Sequence, residues 1–214
     1  QKLWDVVAAE MANVPGIGGQ RYVDRHRQRG KMLVRERIEN LIDPNTPFLE
    51  LSPLAAWGTE DPIGVGIASG IGTIEGVECL ITGTDMTVRG GSANPTTWKK
   101  SQRFTEIAKE NRLPVINLNE SAGADLPRQA DLFIQGGASF RDLTQLSQMG
   151  IPTITMAFGP NTAGGAYTPG TSDYTVFVKD RATAYLGGPP LVKMAIGEEV
   201  DEESLGGADM HSRT

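Results

Sequence analysis

Two residue types that carry much of enzyme chemistry are nearly missing. Cys79 is the only cysteine, and His26 and His211 are the only histidines, among 214 residues. A disulfide within the chain is excluded, as is a zinc site of four cysteines or of two cysteines and two histidines. No other metal-ligand set stands out. A Cys–His nucleophilic pair would have to join Cys79 to a distant histidine, and a Ser–His–Asp triad has little to draw on. Cys79 reads more simply as a small core residue in the apolar strand Glu78-Cys79-Leu80-Ile81. Aromatic residues make up only 6% of the chain. No run approaches the ~20 apolar residues that a membrane-spanning helix needs. The first ten residues, Gln1 to Glu10, form a short amphipathic stretch without a signal-peptide core, so the expected compartment is the cytoplasm, or the mitochondrial matrix once a transit peptide has been removed. The net charge of −6 argues against nucleic acid as a partner, since that needs a basic surface to displace counterions.

Three nucleotide and hydrolase motifs also fail. Gly187-Gly188-Pro189-Pro190-Leu191-Val192-Lys193 lacks the spacing and the following Ser/Thr of a phosphate-binding loop. Gly64-Val65-Gly66-Ile67-Ala68-Ser69-Gly70 misses the dinucleotide fingerprint by one position. No Gly-x-Ser-x-Gly elbow surrounds Ser121.

Glycine is what the chain has in excess, 26 of 214 residues. After a polar N-terminal segment (Pro15, Gly16, Gly18, Gly19 and a basic run from Arg21 to Lys31), helical spacing appears over Met32–Ile42 and stops at Asp43-Pro44-Asn45. Two β-type runs, 67–74 and 77–82, joined by Glu75-Gly76, predict a hairpin. Asn94-Pro95 opens a helix to about Asn111. The strand Leu113-Pro114-Val115 to Ser121 then runs into Ala122-Gly123-Ala124. After a helix from about Arg128 to Met149 the pattern recurs: Ile151-Pro152-Thr153 to Ala157 is a strand leading to Ala163-Gly164-Gly165-Ala166, with the two prolines 38 residues apart. A strand pair over 173–186 and a short helix after Gly187-Gly188-Pro189-Pro190 complete a layered α/β pattern, with glycine turns above the strand ends.

Glycines after strands let a ligand approach the backbone, and amides at a helix start carry partial positive charge. Thr162-Ala163-Gly164-Gly165-Ala166-Tyr167 is the best candidate for an oxyanion hole that stabilises an enolate; it is equally readable as a tight strand-to-helix turn. Thr87-Val88-Arg89-Gly90-Gly91-Ser92 invites a similar pair of readings, as a cradle for an anionic group or a plain turn. Lys99 and Lys100 either add charge to it or face solvent. Asp125, Arg128 and Asp131 are potential catalytic charges, though acids in a first turn commonly serve the helix terminus.

Read in order, these motifs resemble the carboxyltransferase (β) subunits of biotin-dependent acyl-CoA carboxylases, the methylcrotonyl-CoA carboxylase branch in particular. The match runs through Gly30-Lys31-Met32-Leu33-Val34-Arg35-Glu36-Arg37-Ile38, Asp85-Met86-Thr87-Val88-Arg89-Gly90-Gly91, Leu126-Pro127-Arg128-Gln129, Thr162 to Tyr167, and Leu186-Gly187-Gly188-Pro189-Pro190-Leu191-Val192-Lys193. The resemblance implies a crotonase-like (ClpP/crotonase) fold of repeated ββα units, in which carboxybiotin on a carrier domain yields CO2 and a base while an acyl-CoA thioester forms the enolate. It implies that Gly164 and Gly165 offer amides to the thioester oxygen. It further implies that Arg89, Gly90, Gly91, Ser121, Ala122, Gly123, Ala124, Ala163, Ala166 and Tyr167 line the acyl-CoA side. Biotin would come from a biotin carboxylase/biotin carrier (α) subunit, and the β subunit would form a homo-oligomer, a hexamer in the family. Residues 1–30 are then an N-terminal helical and loop segment and 31–214 the N-terminal carboxyltransferase domain. A C-terminal domain is expected beyond Thr214. Within the same logic a decarboxylase subunit, or a biotin-free hydratase or isomerase using Glu120 as an acid/base, stays open. The chain departs from the methylcrotonyl-type pattern at Ser92-Ala93-Asn94-Pro95-Thr96-Thr97-Trp98, where that branch places aromatics just after the glycine pair.

Overall fold

The apolar spacing over Met32–Ile42 produces α3 (Val34–Leu41), which follows α1 (Lys2–Asn13) and α2 (Gln20–Gln28). The computed structural model describes residues 2–14 and 18–213; Pro15 and Gly16 of the expected glycine loop, like Gln1 and Thr214, lie outside the described residues. Glu36 accepts a hydrogen bond from the Leu33 amide at 2.7 Å and so closes the first turn of α3. Val34 and Ile38 turn inward, and the helix gives way at the Asp43-Pro44 turn. Asp43 then reaches across: its two carboxylate oxygens accept the amides of Glu75 and Gly76, each at 2.8 Å.

Glu75 and Gly76 are the two central residues of a hairpin, both with positive φ (49° and 76°), the backbone that matches the twist of two paired strands. β1 (Leu49–Glu50) pairs with β2 (Ile67–Ile74), and β2 pairs antiparallel with β3 (Val77–Thr84) from Ile74↔Val77 to Ile67↔Thr84. All later strands join in parallel, and β4, β5 and β6 each follow a helix. α4 (Pro95–Asn111) precedes β4 (Val115–Ser121), and α5 (Gln129–Gln148) precedes β5 (Thr153–Thr162). The repeat seen in the sequence becomes register: Val115 lies beside Thr153 and Asn117 beside Thr155, the latter pair 38 residues apart. Both repeated prolines stop short of their strands, and each carbonyl accepts an amide of the neighbouring strand. Pro114 takes that of Leu80 and Pro152 that of Val115, both at 2.9 Å.

The segment 173–186 supplies two strands, as expected, but they do not pair with each other. β6 (Tyr174–Phe177) runs beside the start of β5, and β7 (Thr183–Tyr185) beside its end, at Pro160–Thr162. The sheet order is β1-β2-β3-β4-β5-β6 with β7 also on β5. Short helices α6 (Tyr167–Thr171), α7 (Pro189–Ile196), α8 (Glu202–Gly206) and α9 (Ala208–Arg213) complete the described chain.

Alternation along the strands divides the core between two sheet faces. Cys79 and Ile81 pack with α3 through Val34 and Ile38; Leu80 and Val115 pack with α4 and α5 through Phe104, Ala108 and Leu146. Burial, with Asp43 nearby, holds the Cys79 thiol above its ordinary range, in keeping with a core role. No helix among the described residues is long and apolar enough to cross a membrane.

Candidate active site

Parallel strands deliver their C-terminal ends to one edge of the sheet, where loops gather and ligands bind in open α/β folds. Here the loops after β3, β4 and β5 meet the 186–191 segment around a cleft of about 680 Å³. The loops are stitched together by backbone: the Ala93 amide donates to Gly123 O at 3.0 Å, and the Asp125 amide to Ala93 O at 2.9 Å. The Ser121 hydroxyl accepts the Gly123 amide at 3.1 Å and fixes the turn after β4.

The turn after β5 is a single 3-10 stretch, Ala163–Ala166, that feeds directly into α6. The turn closes onto α6 where the Tyr167 amide donates to Gly164 O. Its two glycines are there for different reasons. A Cβ on Gly164 would meet nothing within 4 Å, whereas a Cβ on Gly165 would sit 2.6 Å from both Cβ and Oγ of Ser121. Gly165 is thus the point where the β4 and β5 loops touch. The turn is held from below by two asparagines. Asn119 donates to Gly165 O (3.3 Å) and to Asn161 Oδ1 (2.7 Å). The fully buried Asn161 donates to Gly159 O (2.9 Å) and Thr183 O (3.1 Å).

The structure gathers most of the residues singled out in the sequence, and leaves some apart. Gly91, Ser121, Ala122, Gly123, Ala124, Ala163, Gly164 and Gly165 share the cleft wall. Arg89, Gly90, Ala166 and Tyr167 are not on it. Arg89 stands beside Asp125 (3.5 Å) and Asp61 (3.7 Å), with φ +48°, and its guanidinium is well exposed. Tyr167 faces a neighbouring chamber, edge-on to Phe140 with ring centroids 4.7 Å apart. Arg128 pairs with Asp61 at 2.7 Å, so Asp61 gathers two arginines and also accepts the Thr96 hydroxyl at 2.9 Å.

Of the adjacent lysines, Lys99 is exposed, but Lys100 neither faces solvent nor extends the Arg89 loop. It is buried, and donates to Gly64 O (3.2 Å) and Ile67 O (2.8 Å). Desolvation pulls its pKa down to about 8, against a weaker upward pull from Glu50. Together with the Thr97 hydroxyl, which donates to Val65 O at 3.2 Å, it ties the cleft's Val65–Ile67 edge to α4.

Glu120, the sequence's nearest acid, is fully buried and off the cleft wall. It is clamped by Lys31 at 2.5 Å and Arg37 at 2.7 Å. Among the described residues, the wall holds no Asp, Glu, His, Cys, Lys or Arg. Asn119, Asn161 and Asp61 went unremarked in the sequence; the two asparagines had a signal, as polar residues at inward positions of apolar strands. What this wall offers is backbone amides, hydroxyls and small side chains. That set can hold a developing oxyanion and has no proton acceptor of ionisable type.

Residues 25–214 match the carboxyl transferase domain family. The chain is 59% identical over 209 residues to a probable biotin-dependent acyl-coenzyme A carboxylase beta2 subunit of Mycobacterium tuberculosis, covering 98% of this chain and 40% of that protein. It is 51% identical over 203 residues to a probable mitochondrial methylcrotonoyl-CoA carboxylase beta chain of Drosophila melanogaster, covering 92% and 35%. Among solved structures it is similar to transcarboxylase 12S, described as a hexamer with methylmalonyl-coenzyme A bound, at TM-score 0.89 and 29% identity over 98% of this chain and 42% of that one. The crotonase-like fold is thus shared. The chain spans roughly two fifths or less of the curated relatives' length.

Proposed function

The chain belongs to the carboxyl transferase domain family, and from that premise we propose that the protein containing it transfers a carboxyl group to an acyl-CoA through a thioester enolate. One observation carries the reading: a cleft at the strand ends whose described wall offers amides and hydroxyls but no ionisable side chain. Hydration or isomerisation on such a wall would lack its acid/base pair, because Glu120 is committed to Lys31 and Arg37 elsewhere. Biotin, carried by a partner subunit, would supply the carboxyl group and the base, and a wall without a base of its own fits that division of labour.

In this reading the Gly164 amide, with Gly165 beside it, donates to the thioester oxygen as negative charge develops there. The small residues of the 121–124 loop, together with Gly91 and Ala163, let the thioester lie against the backbone. Arg89, with Arg128 close by on Asp61, stands where an anionic group of coenzyme A would pass; Gly90 gives its loop the required turn. Ala166 and Tyr167 act from behind the turn. Residues 31–214 serve as an N-terminal carboxyltransferase domain after a 1–30 segment. The assembly partners are a biotin carboxylase/biotin carrier subunit and further copies of the β subunit, a hexamer in the manner of transcarboxylase 12S, working in the cytoplasm or the mitochondrial matrix.

The test is purification of the native full-length protein, a streptavidin blot of what accompanies it, and an assay of bicarbonate fixation with a panel of acyl-CoAs. A stoichiometric biotinylated partner and acyl-CoA-dependent fixation are expected. A full-length protein with no such partner and no fixation overturns the proposal.

A further inference from the structure

The cleft has a neighbour. Ile67, Trp98, Asn119, Gly164 and Thr168 belong to its wall and also to that of a second chamber, of about 190 Å³, between the β3–β4 face and α4 and α5. That volume far exceeds what one water needs. Beyond the shared residues the chamber is mixed: Leu80, Phe104, Val115, Leu143 and Leu146 form its apolar part, beside polar residues that include Thr82, Thr105, Asn117 and Asp142.

Trp98 stands at the boundary. It sits one turn into α4, where its amide bonds to Asn94 O (3.1 Å). Its indole Nε1 is buried and has no hydrogen-bond partner. An indole N–H can only donate, so nothing polar anchors the ring, and packing alone keeps it between the two spaces. Ser101, on the next turn of the same helix face, also borders both.

We infer that the chamber receives the acyl chain of the substrate and that Trp98 is a specificity-determining residue, the partition that decides how long a chain is accepted. This rests on the acyl-CoA reading above. With the thioester oxygen at Gly164, which borders both spaces, a short acyl group ends in the cleft. A longer one must pass the indole to bury its further methylenes against Leu80, Phe104, Val115, Leu143 and Leu146. The ligand class is therefore an unbranched or terminally branched acyl thioester, sorted by reach.

The experiment uses the full-length protein with its biotinylated partner. It measures kcat/KM for straight-chain acyl-CoAs from acetyl to decanoyl, and in parallel the equilibrium Kd of each. Trp98→Ala opens the partition; Ser101→Leu narrows the passage from the same helix face. Trp98→Ala should raise the long-to-short ratio of kcat/KM by about tenfold or more, in the range that a methylene or two is worth in an apolar pocket, and Ser101→Leu should lower it by a similar factor. The Kd ratios should move in the same directions. If Trp98→Ala fails to fold, Ser101→Leu alone decides. Folded, active variants with a ratio within about twofold of the wild type overturn this inference and leave the acyl-CoA reading standing. A wild-type protein that neither carboxylates nor binds any acyl-CoA overturns both.

Discussion

Gly164 and Gly165 adjoin in sequence but differ in what they tolerate. Neither is in the left-handed region, so the difference is one of space. Gly165→Ala drives a methyl into Ser121 and must displace either the turn or the β4 loop. On the proposed function, this should lower kcat of the full-length protein by about tenfold to a hundredfold, somewhat less than the loss of a whole oxyanion donor. The double variant Gly165→Ala/Ser121→Gly should recover most of it. Gly164→Ala keeps the amide and meets open space, so it should cost little. Gly164→Pro removes the donor and should abolish exchange of the acyl α-proton. Normal exchange in the proline variant would mean that the oxyanion sits elsewhere. The sequence pointed to this turn because two glycines after a strand are conspicuous. It could not say which glycine was sterically required, because the answer lies with Ser121, on another strand. The roles of Asn119 and Asn161 were hidden for the same reason: an asparagine in a strand gives no sign of which loop it supports.

Elements were more legible than contacts. The Glu75-Gly76 turn, the Asn94-Pro95 helix start and the proline repeat are local signals, and each sits where the sequence placed it. Asn94 Oδ1 accepts the Thr97 amide at 2.8 Å, with Pro95 at the first helical position. What escaped was pairing: β6 and β7 adjoin in the chain, yet each chose β5, because parallel register is set by the whole sheet. Lys100 is the clearest case at this scale, since one side chain fastens α4 to the start of β2. Its folded pKa, about 8, lies below the ordinary 10.5, so the unfolded chain binds more protons between those values and stability rises with pH across that window. Relative to Lys100→Met, the wild type should therefore gain about 2 kcal/mol between pH 7.5 and 9.5. Thermal unfolding of both full-length proteins at the two pH values would measure it. Parallel curves would mean that Lys100 is better solvated than its burial implies.

For the molecule as a whole, the decisive tie joins its beginning to its middle. Lys31 and Glu120 are 89 residues apart and meet inside the protein, with Arg37 on the other carboxylate oxygen. Gly159 leaves the room: a Cβ there would strike both Glu120 and Lys31. Glu120→Ala would strand two cations in a buried site and should cost about 3–5 kcal/mol, with Glu120→Gln milder. The expected signs are a lower unfolding temperature of the full-length protein and earlier protease cleavage near residues 29–35. Unchanged values would show that solvent reaches the pair. No sequence pattern announces such a contact; it exists only once the fold has closed. The hairpin carries a different consequence, one of timing. β2 and β3 meet across two residues and are stapled by Asp43, so they can assemble as soon as the nascent chain has delivered them. The free edge of β3, by contrast, must wait for all of α4 to be made before β4 exists to cover it. During that interval the edge is a bare template for any strand that comes by, which makes synthesis of α4 the stretch in which this chain most needs protection from mispairing.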